Sequence, residues 1–151
     1  MANPYNMFKT DPQLESETGI ILDYGDFRFR VGRAGGANKK YSKLIEARMK
    51  PHQRALTAGT LDEAVATRIL VEVFSSTVIF DCDVLDKEKS TDDNPVYIPG
   101  IISETGEVLP DEVQNRVSCL LNLPELFLDI RKQANDFTLF LLSQQEEIAK
   151  N

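Results

Sequence analysis

The spacing of apolar residues changes repeatedly along this chain, and each change predicts an element. Residues 1–18 scatter Tyr5, Met7 and Phe8 among polar side chains with no sustained period, which predicts a flexible N-terminal arm with a weak signal for docking. Ile20, Ile21 and Leu22 then lead into Asp23-Tyr24-Gly25-Asp26, after which Phe27, Phe29 and Val31 alternate with Arg28 and Arg30. That pattern predicts a β-hairpin over 19–31, with both Phe side chains and Val31 on one face and the two guanidiniums on the other. Gly32, Gly35 and Gly36 break the strand.

Helical spacing follows. Asn38 is placed to cap a helix carrying Tyr41, Leu44, Ile45 and Met49, which Pro51 interrupts and Gly59 closes. Thr60-Leu61-Asp62-Glu63 reads as a capping box that starts a second helix at Leu61, with Val65, Ile69, Val73, Thr77 and Phe80 as its buried stripe. Residues 38–80 are therefore expected to be helical. From Asp81 to Asn94 the acids, Lys, Ser and Thr read as a solvated linker, and short apolar pieces punctuated by Pro99-Gly100 and Thr105-Gly106 complete a loop region over 81–109, with a second small hairpin left open. Pro110, Asp111 and Glu112 suit the first turn of a helix burying Val113, Val117, Leu120 and Leu121. Pro124 opens a last helix with Leu126, Phe127, Ile130, Ala134, Phe137, Phe140 and Leu141 on its face, expected to reach about Glu147 within a helical region 110–149. The whole predicts a mainly α-helical, bundle-like single domain over 19–151 with an N-terminal hairpin.

Charge changes this picture. The formal charge is -7, yet between Arg28 and Arg54 nine Lys or Arg face one acid, Glu46, a local +8 that leaves -15 elsewhere. Such a segment either presents a cationic face to an acidic partner or pairs with the chain's own acids. Nucleic acid is disfavoured by the acidic balance and by the lack of any recognised binding motif. The longest strongly apolar stretch, Phe137 to Leu142, falls far short of the roughly 20 residues a membrane span needs. With Cys82 and Cys119 the only cysteines and no leader-like segment, a reducing cytoplasm is expected.

No catalytic, cofactor or metal site is expected. The glycines from Gly32 to Gly36 with Lys39 lack the register of a phosphate loop. His52 is the single histidine, and Asp81, Asp83, Asp86 and Glu88 lack the spacing of a calcium loop. Cys119 sits among apolar helix residues as a buried thiol, and Ser75-Ser76 is no nucleophile elbow. The candidate functional residues are instead partner-binding: Arg28, Arg30, Arg33, Lys39 and Lys40 on a basic surface, and Phe127, Phe137 and Phe140 on a last helix apolar on two sides.

The run Arg33 to Tyr41, then Lys50-Pro51, Thr60-Leu61-Asp62-Glu63, Glu72-Val73-Phe74, Thr77-Val78 and Leu123 to Ile130 with Gln133-Ala134, resembles the tail assembly chaperones of tailed bacteriophages. The resemblance covers about two-thirds of the chain in the family's order, apart from the arm and Asp81 to Leu109. It implies a non-enzymatic protein of the host cytoplasm that binds the tape measure and tail tube proteins during virion assembly, with self-association left open. The alternative is a structural tail component retained in the virion, using its hairpin to extend a neighbour's sheet. A nucleic-acid-associated regulator working through Arg28 to Arg54 is a third reading.

Overall fold

A computed structural model describes residues 3–144. Its centre is a four-stranded antiparallel sheet in the order β1-β2-β3-β4, formed by β1 (Ile20–Asp23), β2 (Phe27–Val31), β3 (Ile79–Leu85) and β4 (Tyr97–Pro99). Helices cover one face, so the fold mixes α and β and is not the mainly helical bundle expected. The difference lies in β3. Its residues Ile79, Cys82 and Val84 are buried, while Asp81 and Asp83 stand opposite Arg30 and Arg28 of β2. The acids taken for a solvated linker are thus the polar half of a strand, neutralised by the neighbouring strand's polar half.

The second predicted helix is correspondingly shorter. After α1 (Pro4–Phe8), α2 (Lys39–Met49), a 3₁₀ turn at Lys50–His52 and α3 (Gln53–Ala58), helix α4 runs over Glu63–Thr77. Asp62, not Thr60, is its N-cap, accepting from the Ala64 amide at 2.8 Å. Its stripe does not continue to Phe80, because the chain turns at Val78 into β3. The pairing of β2 with β3 shifts register between Arg30 and Val31, so Val31 meets Ile79 and Phe80 is left over as a bulge. Phe80 swings against Gly32, where an added Cβ would collide with the Phe80 ring and lie 2.6 Å from the Glu15 carbonyl oxygen. Gly32 is therefore required for space.

The expected loop region 81–109 also holds β5 (Ile101–Ile102) and β6 (Val108–Leu109), an antiparallel pair of its own. Helices α5 (Val113–Asn122) and α6 (Pro124–Ala134) follow. The last helix stops at Ala134, well before Glu147, because Asp136 turns back to accept from the Thr138 amide at 3.0 Å and starts a 3₁₀ turn over Phe137–Phe140. Glu147 itself lies outside the described residues. The arm expected over 1–18 is seated on the domain: Leu14 and Glu15 are buried, Thr10 bridges Leu141, and Phe8 stacks on Phe137 with centroids 5.6 Å apart.

Phe74 of α4 joins the layers. It is fully buried, with edge-on contacts to Tyr41 of α2 at 5.6 Å and Phe127 of α6 at 5.3 Å. Phe74→Ala is expected to lower unfolding free energy by about 3–5 kcal/mol. Urea denaturation checks it, and a loss below about 1 kcal/mol would show that the layers close without this ring.

Candidate functional site

Three of the basic residues assigned to a partner surface are used internally. Arg28 donates to Asp83 at 3.1 Å with its guanidinium 3.6 Å over the Tyr97 ring, and Arg30 lies 2.6 Å from Asp81 while also donating to the carbonyls of Glu17 and Thr18. Arg33 pairs with Glu15, which is only 2% exposed and also accepts from Thr10 Oγ1 and the Ala37 amide. Gly36, at φ +53°, leaves room for that carboxylate. The apolar assignments fare similarly: Phe127 and Phe140 are core residues, and half-buried Phe137 is covered by Phe8. Lys39 and Lys40 stand exposed.

The buried side chain with the most hydrogen-bond partners is one that spacing did not mark. Arg116 of α5, 8% exposed, donates to Asp111 Oδ1 at 2.7 Å and to the carbonyls of Ser75 and Ile79 at 2.8 Å, with Phe80 at 3.3 Å. The other Asp111 oxygen accepts from the Cys82 amide at 2.9 Å. Burial by itself raises the Asp111 pKa, but the Arg116 and Cys82 hydrogen bonds outweigh it and hold the carboxyl below its usual value. Asn38 plays a matching part: 2% exposed, it caps α2 and donates to the carbonyls of Arg33 and Thr77. Its cap role is legible in the sequence, whereas Asp111 and Arg116 carry no periodic signal.

An apolar cleft of about 510 Å³ opens between the sheet, the β5–β6 pair and the α5–α6 corner. Phe27 and Phe29 line it from the sheet, Ile101 from β5, and Cys119, Leu123 and Leu126 from the helices. Ile102 and Leu123 at its margin are 38% and 49% exposed. Both thiols lining it, Cys82 and Cys119, are pushed up by burial, which keeps them protonated and poorly nucleophilic. Among the described residues no group of three or more His, Cys, Asp or Glu is placed to hold a metal, and no helix is long and apolar enough to cross a membrane.

Fold and surface define a small mixed α/β domain whose buried charges serve its own joints and whose open features are an apolar cleft and an exposed basic helix. The chain belongs to the YdaY prophage protein family, whose model matches residues 36–151, and is of phage origin. No curated protein and no solved structure matches it. The matched region begins in the glycine hinge, so β1, β2 and Arg28, Arg30 and Arg33 precede it, while Lys39, Lys40 and both helices at the cleft lie within it.

Two measurements check the buried pair. Arg116→Met should cost about 3–5 kcal/mol in urea, because it strands Asp111 and the carbonyls of Ser75 and Ile79. Since the folded Asp111 pKa is depressed, its stabilisation is complete above the unfolded value of about 4 and is lost as pH falls through the lower folded value. Asp111→Asn should therefore be less stable at pH 7 and show a shallower stability loss on acidification. Parallel acid limbs for the two proteins would exclude this carboxylate as a contributor.

Proposed function

We propose that this protein is a non-enzymatic tail assembly chaperone that holds apolar segments of the tape measure protein and assists tail tube assembly in the host cytoplasm. The observation that carries the reading is the open apolar cleft with Ile102 and Leu123 exposed at its margin. A groove of this kind receives one apolar face of a client helix. The family's phage origin and the motif resemblance support the same reading. Buried, protonated thiols and internally paired carboxylates suit a surface that binds without making or breaking bonds.

A second reading, a tail component retained in the virion, is favoured by one feature. β1 is an edge strand of the sheet, and Ile21 on it is 48% exposed, which suits addition of a neighbour's strand.

Co-expression with the tape measure protein should raise the client's soluble fraction several-fold, and Leu123→Asp with Ile102→Asp, both at exposed positions, should abolish the gain without changing the chaperone's own melting. Undiminished client solubility with the double variant would remove the cleft from the reading. Mass spectrometry of purified virions should find the protein absent; many copies per particle would select the structural alternative.

A further inference from the structure

The nine cations between Arg28 and Arg54 divide by structure into two sets. Arg28, Arg30, Arg33 and Arg48 pair with Asp83, Asp81, Glu15 and Glu72. Lys39, Lys40, Lys43, Lys50 and Arg54 are exposed, and none of them joins an ion pair among the described residues. Lys39, Lys43, Lys50 and Arg54 succeed one another at intervals of four, seven and four. At about 100° per residue Lys39, Lys43 and Lys50 fall on one side of α2, opposite Tyr41 and Arg48, which contact Phe74 and Glu72 of α4, and Arg54 follows on α3 beyond the 3₁₀ turn. The 3₁₀ turn at Lys50–His52 bends this ridge without burying either Lys50 or Arg54. Its length is about 22 Å at about 1.5 Å per residue.

We infer that this ridge docks an acidic α-helix of a partner protein, with carboxylates recurring at the same intervals of four and seven. Those intervals are the repeat at which one face of a second helix presents side chains to the first, so each cation meets one carboxylate along the contact. Glu46 lies on the same side between Lys43 and Lys50 and requires a neutral or basic residue opposite it, which gives the contact a register. A phosphate backbone offers unbroken negative charge that Glu46 and the chain's remaining charge of -15 oppose. A second copy is a poorer fit, because no helix among the described residues repeats unpaired carboxylates at these intervals: Glu63 and Glu125 stand singly on α4 and α6, while Glu72 is engaged with Arg48 and Arg68 and Asp129 with Tyr24 and Gln133. The inference deepens the chaperone reading by naming the partner's chemistry, but it concerns a surface away from the cleft.

The test uses the full chain and a labelled synthetic helix with Glu at positions i, i+4, i+11 and i+15 and Lys at i+7, followed by fluorescence anisotropy. Binding should weaken about tenfold or more from 50 to 300 mM salt, as screening shortens the reach of exposed charge. The variant K39E/K43E/K50E/R54E, with unchanged circular dichroism, should lose the acidic helix and gain one in which the charges are reversed. A scrambled peptide of equal composition bound as tightly, stronger retention of a DNA or RNA oligonucleotide, or salt-sensitive dimerisation that blocks the peptide would each overturn the proposal. Failure of the unaltered chain to bind the acidic helix while it still solubilises the client sinks the ridge alone, while the converse sinks only the cleft.

Discussion

One guanidinium closes the joint between helix and sheet. The carbonyls at the end of α4 and the start of β3 point into the interior, where water cannot satisfy them, and Arg116 collects those of Ser75 and Ile79 while Asp111 neutralises its charge and takes the Cys82 amide. Helix α5 is thereby fixed to both partners at once, and the cleft beside it inherits its shape from that fixation. The pair is costly to bury but satisfied on nearly all sides, which is the condition under which a buried ion pair holds a structure together.

Asn38 and Glu15 repeat the solution at the glycine hinge. Asn38 spans from the Arg33 carbonyl to the Thr77 carbonyl, and Glu15 ties the arm to Arg33 and Ala37, so the segment between strand and helix is tied down from both sides. Charge that composition suggested for display is spent on these joints. Display is left to α2–α3, inside the family-matched region.

Much of the local structure was legible in the residues. Period-two alternation marks β2, Asn38 marks the start of α2, and Pro124 the start of α6, because each signal is local. β3 was not, since two aspartates in seven residues look like solvent-exposed loop until Arg28 and Arg30, with the same two-residue interval, are laid beside Asp81 and Asp83. That matching interval was the available signal. Phe127 and Phe140 read as partner-binding because the last helix has more apolar residues than one face needs; the chain instead bends at Asn135-Asp136 and buries Phe140 from a separate turn. The Asp111–Arg116 pair could not be read beforehand, because its worth depends on carbonyls some 40 positions away.

The crossed pairs on the outer face of the sheet have one more effect. Sliding β2 against β3 by two positions would keep every apolar side chain inward, so hydrophobic burial alone cannot reject that alignment. It would, however, leave one arginine facing an apolar neighbour and one aspartate facing either Gly32 or the like-charged Asp26. The ladder Arg28–Asp83 and Arg30–Asp81 thus works as a vernier, discriminating between alignments that the greasy side of the sheet treats as equal.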